Sequence, residues 1–206
     1  MRERVEGQIH VTGNTIIDTC VTSLKNLPQT PEAPVAFDEF AVVTAHSREI
    51  VDNPETLSEW VRTVLRLPLP AVFPCHPRTF RRLSEFRYVG RLRGSSSVMM
   101  IPPVGYLQFL SLMQGADFIF SDPDSVVEES TAPGLGKIVF SPRTRTELPE
   151  ALESGHLTLV GTDCEQALRR IRQRLEKGSE AHGHPYGTGR AGEQIASILK
   201  ERLSGP

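Results

Sequence analysis

DFIFSDPDSVVEESTAPG, residues 117–134, is the stretch that decides the fold. Its opening DFIFS is an apolar run of strand length, and SVVEESTAPG reads as a short helix that ends at a proline and a glycine. A buried strand that runs directly into a helix is the repeating step of a doubly wound α/β protein. The helix start behind such a strand is where these proteins hold phosphates, because free backbone N–H groups point outward there. Here Pro123 and Asp124 stand where small neutral residues are expected, so the turn reads either as a phosphate site or as one that has been closed.

The same alternation continues on both sides. FAVVTA (40–45), AVFP (71–74), VMMIP (98–102), KIVFS (137–141) and LTLVG (157–161) are further short apolar runs, which makes six predicted strands with DFIFS. NPETLSEWVRTVLRL (53–67) predicts a helix with Asn53 as N-cap and Pro54 in its first turn. Leu57, Trp60, Val61, Val64 and Leu65 form its apolar stripe. PRTFRRLSEF and GYLQFLSLMQGA predict two more helices, the second stopped at Gly115. DCEQALRRIRQRLEKG predicts another, with Asp163 and Gln166 as a capping pair and Gly178 as its stop. GRAGEQIASILKERL closes the chain, with Ala191, Ile195, Ile198 and Leu199 on one face. Ahead of the first strand, NTIIDTCVTSLKNLP places Ile17, Cys20, Val21 and Leu24 on one helical stripe closed by Pro28, and LPQTPEAPVAF follows as a Pro-rich crossing. Six apolar strands with helices between them predict a parallel sheet covered on both faces.

Length and composition agree with that class. The chain has 206 residues, 38% hydrophobic and 23% charged, within the range of one globular domain. A formal net charge of −2 gives no electrostatic reason to invoke nucleic acid or an acidic membrane surface. The longest apolar stretch is broken by Pro102, Pro103 and Gly105, short of a membrane span. The N-terminus lacks the apolar core of a signal peptide. Cys20, Cys75 and Cys164 lie far apart with no metal-binding or disulfide spacing, which fits a reducing cytoplasm. HGHPYG (182–187) reads as a loop, since two histidines without a third ligand nearby seldom make a metal site. No metal and no cofactor is expected.

In a sheet of this kind ligands bind at the carboxyl ends of the strands. The residues there are His46, His76, Pro102 and Pro103, the turn Asp122–Ser125, and the segment 143–147 that begins with Arg143. Two imidazoles, a helix start, a guanidinium and the Glu129 carboxylate are expected to converge on one crevice. That set suits a nucleoside diphosphate, with cations and N–H groups for phosphate and a carboxylate for ribose hydroxyls. His46 by itself reads equally as a satisfied core histidine, His76 as loop scaffold and Glu129 as an ordinary helix carboxylate. Arg143 reads either as a phosphate contact or as the complement of Glu147 and Glu150.

VTGNTIID (11–18), VTAHSRE (43–49), FPCHPRT (73–79), GYLQFLSLMQGAD (105–117), SDPDSVVEE (121–129), TELPEALESG (146–155) and HPYGTGRA (184–191) come in an order and spacing that resemble the non-hydrolysing UDP-N-acetylglucosamine 2-epimerases. The resemblance covers nearly the whole chain but only the second half of that family. It implies a Rossmann-like three-layer α/β domain with a mostly parallel sheet, as in the C-terminal domain of the GT-B fold. It divides the chain into an extended piece, linker helix and Pro-rich crossing over 1–36 and a nucleotide-sugar-binding domain over 37–206. The ligand implied is UDP or a UDP-N-acetylhexosamine. The reaction implied is anti elimination of UDP to 2-acetamidoglucal, followed by re-addition after C2 is reprotonated on the other face. By the same resemblance His46 contacts the nucleotide sugar near the phosphates, Phe109 lies on the uracil side, Ser125 belongs to the diphosphate loop and Glu129 binds ribose. The carboxylates that handle the C2 proton belong to the half of the family that this chain does not match.

The departures from the family bear on the opening turn. Pro123, Asp124 and Ser125 replace Ser-Gly-Gly, Leu148 replaces a basic residue, and Ser47 replaces the arginine after the histidine. Pro123 removes an N–H. Asp124 places a carboxylate near a diphosphate, where two charges about 4 Å apart repel by about 1 kcal/mol in water and about 4 at an effective dielectric near 20. Asp124 is also expected to cap the helix, and Ser125 with Glu128 fits a capping box. The phosphate end reads as partly closed and the uridine end as intact. Three functions follow as expectations. One is half of a split epimerase with a separately encoded N-terminal partner that covers the NTIIDTCVTSLKNL helix. The others are a non-catalytic UDP-sugar-binding module and a decayed remnant. A homodimer is compatible with each.

Overall fold

Short β-branched and aromatic runs make the strands, and each is followed by an amphipathic segment long enough to return along the sheet. In the computed structural model of the chain, residues 7–27, 35–178 and 181–203 are described; Pro28 and most of the Pro-rich crossing lie outside them. The strands are β1 (Ala41–Val43), β2 (Ala71–Pro74), β3 (Val98–Ile101), β4 (Phe118–Phe120), β5 (Val139–Ser141) and β6 (Leu157–Leu159). They form one sheet in the order β3-β2-β1-β4-β5-β6, and every pairing is parallel. The order reverses between β1 and β4, so the crevice for a ligand opens above those two strands.

Both faces of the sheet are buried, and side chains alternate between them as the pleat requires. Ala41, Val43, Phe73, Phe118, Phe120 and Phe140 point to one side, where they meet α2 (Arg48–Val51), α3 (Pro54–Val64), α4 (Pro77–Glu85), α5 (Val89–Arg93) and α9 (Cys164–Glu176). Trp60 of α3 fills the centre of that side, its ring 5.3 Å from Phe73 and 6.4 Å from Phe120. Val42, Val72, Ile119 and Val139 point to the other side. There they meet α1 (Thr15–Lys25), α6 (Tyr106–Gly115), α7 (Asp124–Ser130) and α8 (Pro149–Glu153). The last helix, α10 (Ala191–Leu203), lies against α1.

Several caps form as the sequence predicts. The Asn53 side chain accepts from the N–H groups of Glu55 and Thr56, with Pro54 opening α3, and Asp163 accepts from Gln166 at the head of α9. Three short helices, α2, α5 and α8, are not signalled by periodicity, because four or five residues are too few to show a stripe. One expectation needs correction. The apolar stripe of α1 is not left for a partner: Ile17 and Cys20 are fully buried within this chain, packed with α6, α7 and α10. A run of exposed apolar side chains lies on α10 instead, where only Ala191 is buried and Ile195, Leu199 and Leu203 are exposed.

Candidate nucleotide site

The site is built where the chain leaves the strands. Asp122, two residues beyond the end of β4, is 1% exposed, and its carboxylate accepts hydrogen bonds from the backbone N–H of His46 at 2.9 Å and of Ser47 at 2.6 Å. The β4 exit therefore holds the β1 exit and fixes where the His46 ring stands. One layer below, the Thr44 and Ser121 hydroxyls share a buried hydrogen bond of 2.6 Å across the same two strands. On the other side, Thr79 Oγ1 donates to the Ala45 carbonyl and ties α4 to β1. These contacts are where local sequence becomes site geometry: polar residues at strand ends take up backbone groups that the sheet no longer pairs.

Above this platform lies a cavity of about 430 Å³. His46, His76, Phe109, Ser125 and Glu129 all line it. The two imidazoles face each other with ring centroids 5.2 Å apart. Burial pushes the His46 imidazole below its ordinary pKa; Asp122 opposes that shift and His76 adds to it. His46 is thus a neutral ring at neutral pH, able to accept a proton or share one. His76 has two jobs: it lines the cavity and also caps α4, its Nδ1 accepting the Arg78 N–H at 3.2 Å. With Nδ1 so engaged, Nε2 carries the proton of the neutral ring. Glu129 is only 6% exposed. Burial pushes its carboxyl above the usual carboxylate range, and a hydrogen bond from Tyr106 pulls it back.

Arg143 departs from expectation. Its guanidinium does not enter the cavity; it lines a neighbouring polar groove of about 690 Å³ with Ser47, Arg48 and Asp124. Its partner is neither Glu147 nor Glu150 but Asp124, at 2.9 Å. That pairing also corrects the reading of the opening turn. The first residue of α7 is Asp124 and its N-cap is Pro123, so neither Asp124 nor Ser125 caps the helix with its side chain. Glu128 does not close a box with Ser125, because the Asn14 side-chain amide at the head of α1 donates to it at 2.9 Å. The turn is filled by the chain's own charges: a proline without an N–H, then a carboxylate held by a guanidinium. Asp124 is therefore a neutralised carboxylate, and the simple repulsion expected of it is reduced.

Sequence reasoning missed Tyr106, Val104 and Thr44 in the cavity wall. Tyr106 was within reach, since it lies one helical turn before Phe109 and so shares its face. HPYGTGRA packs as a loop. His184 Nδ1 lies 2.8 Å from the Thr131 carbonyl, and Asp18 accepts from the N–H groups of Ala191 and Gly192 at 2.9 and 2.7 Å. Gly189 in that loop has φ +87°, and a Cβ there would lie 3.0 Å from Val21, so glycine is required on both counts. Among the described residues no group of three His, Cys, Asp or Glu side chains is placed to hold a metal, and no helix is long and apolar enough to cross a membrane.

Comparison with known proteins places this geometry. The profile of the UDP-N-acetylglucosamine 2-epimerase family matches residues 1–200. The chain belongs to this family. The epimerase of Methanocaldococcus jannaschii is 33% identical over 97% of this chain and 57% of its own length. That of Bacillus subtilis is 33% identical over 93% of this chain and 51% of its own. The chain thus spans about half the length of the curated relatives it matches. The solved M. jannaschii epimerase in complex with UDP-GlcNAc and UDP superposes with a TM-score of 0.83 at 32% identity, over 96% of this chain and 56% of that one. The Neisseria meningitidis epimerase bound to UDP-GlcNAc gives 0.77 at 28%, over 92% and 54%. The family fold is the GT-B type, and this chain supplies one Rossmann-like half of it.

Proposed function

We propose that this chain is the uridine-holding half of a UDP-N-acetylglucosamine 2-epimerase, and that by itself it binds uridine nucleotides without turning them over. One observation carries the reading: a buried carboxylate, Glu129, shares a cavity with Phe109 and His46 at the point where the strand order reverses. A carboxylate there accepts both hydroxyls of a ribose, and the face of α6 around Phe109 flanks the base. His46, a neutral imidazole, stands toward the leaving-group end. Elimination needs a base at C2 and a group that supports the departing UDP. Among the described residues Glu129 is the one carboxylate in the cavity wall, and this reading commits it to ribose. The base then comes from elsewhere, from the remaining half of the family fold. The exposed apolar side chains of α10, Ile195, Leu199 and Leu203, offer that half an apolar seat. The setting proposed is the cytoplasm, where Cys20, Cys75 and Cys164 stay as buried thiols.

A second reading, a binding module without catalysis, is favoured by the filled turn at Pro123 and by the Asp124–Arg143 pair. Both readings require the uridine end. Backbone amide shifts on titration with uridine test it: saturable changes at His46, Tyr106, Phe109 and Glu129 are expected. Saturable changes confined to another surface, or none, would remove the proposal.

A further inference from the structure

The chain between residues 77 and 93 carries six arginines and one acid, Glu85. On α4 these charges are answered: Arg78 and Arg82 hold Asp52 at 2.5 and 2.9 Å, and Arg82 also reaches Glu85 at 2.7 Å. At the end of α5 they are not. Arg93 pairs with no carboxylate among the described residues; its guanidinium lies over the Phe80 ring, 5.6 Å from the centroid. Phe80 is itself 38% exposed, an aromatic side chain that the fold leaves partly in solvent. Both side chains line a cavity of about 360 Å³ beside β3, the edge strand of the sheet, and Cys75, Met100, Ile101 and Pro103 line it with them. This cavity is separate from the nucleotide site but shares a wall with it. Beyond β2, Pro74 and His76 face the nucleotide side, while Cys75 and Pro77 face this one. The Cys75 N–H donates to the Ile101 carbonyl at 3.0 Å and holds that wall to β3. Arg93 is the one charged side chain in the lining. Burial pushes the Cys75 thiol up to about 12, so at neutral pH the pocket contains no anion of its own.

We propose that this pocket is a second binding site, for a small apolar monocarboxylate, with the hydrocarbon part among Phe80, Met100 and Ile101 and the carboxylate on Arg93. An apolar cavity with a single convergent polar group is the usual form of a small-molecule site. The polar group here is a guanidinium, whose planar fork matches the two oxygens of a carboxylate. Stacking on Phe80 fixes the plane of that fork and leaves its N–H edges for an acceptor. The occupant is a free acid and not a peptide laid along the edge strand. β3 ends at Ile101, and Pro102 and Pro103 follow at the pocket wall; neither has an N–H to offer, so no ladder can continue across the pocket. This site stands independently of the uridine reading.

Backbone amide shifts of the full chain, followed by NMR during titration with hexanoate and with its uncharged isostere hexanamide, test this. Saturable changes are expected at Cys75, Phe80, Arg93, Met100 and Ile101, with hexanoate bound about fivefold more tightly than hexanamide, the effect of one charge-assisted pair at a partly open site. Arg93→Gln is expected to bind the two equally, and Met100→Trp, which fills the pocket, to bind neither. Thermal unfolding verifies that each variant is folded; Arg93 is exposed, so its replacement leaves the core intact. No saturable change at these residues, changes confined to the nucleotide cavity, or equal affinity of the wild type for acid and amide would overturn the proposal. So would a preference for hexanoate that survives in Arg93→Gln. The peptide acetyl-Ala-Ala-Leu provides the remaining arm: weaker binding than hexanoate is expected, and binding tenfold tighter would assign the pocket to a chain terminus and overturn the free-acid site.

Discussion

At the scale of single residues the site turns on side chains whose protonation is set by burial. Glu129 is held above the ordinary carboxylate range, first by burial, and in the proposed site only its anion would accept both ribose hydroxyls. Uridine affinity should therefore be full well above that raised pKa and should fall as the carboxyl takes up a proton. Glu129→Gln is expected to bind about tenfold more weakly at neutral pH and to lose this pH dependence; equal affinity in calorimetry would remove Glu129 from the site. His156 gives the matching test on stability. It is 2% exposed, its Nδ1 is 3.0 Å from Ser154 Oγ, and burial, with His184 and His182 nearby, lowers its pKa. Below the ordinary histidine pKa of about 6.5 the unfolded chain binds a proton that folded His156 resists, so stability falls with falling pH in that window and is unaffected above it. His156→Gln should flatten the slope of melting temperature against pH below 6.5 relative to wild type. Parallel slopes would show that His156 contributes nothing to acid sensitivity. That His46, His76, Phe109, Ser125 and Glu129 line one cavity was legible, because strand ends and family-like motifs mark them. The Asp124–Arg143 pair was not, since it joins two loops whose approach is fixed only once β4 and β5 lie side by side.

At the scale of elements, what the sequence displays best is what local periodicity encodes. The strands and the longer helices follow directly from apolar spacing, because burial on both sides of a parallel sheet leaves unbroken apolar runs. Caps divide by reach. Asn53 and Asp163 bond to their own next turn, and local chemistry suffices to predict them. Ser125 and Glu128 had the right spacing too, but Asn14, more than a hundred residues away, claims the glutamate. The α3 face shows how much one element contributes. Trp60 is 2% exposed between Phe73 and Phe120, and Trp60→Ala is expected to cost about 3–5 kcal/mol in denaturant unfolding. A loss below about 1 kcal/mol would mean that the α3 face of the sheet is not the packed core described. Gly189→Ala should also destabilise, because it meets both a positive φ and the Val21 side chain.

At the scale of the whole molecule, the parallel sheet with its reversal between β1 and β4 fixes where the cavity lies, and the chain spans about half the length of its relatives, so the proposed elimination draws its base from the remaining half of the family fold. The cavity brings together the residues that the proposed uridine site uses, while the adjoining turn is occupied by Pro123 and by the Asp124–Arg143 pair. Turnover of UDP-N-acetylglucosamine by the chain alone is expected to be undetectable by NMR of the sugar anomeric protons. Measurable formation of the C2 epimer would mean that this half carries its own base. The central claim is that the uridine end is retained and the diphosphate grip is weakened, and paired calorimetric titrations with uridine and UDP test it most directly. The account predicts that both bind, with affinities within tenfold of each other. UDP binding tenfold or more tighter than uridine, or no binding of either, would contradict it.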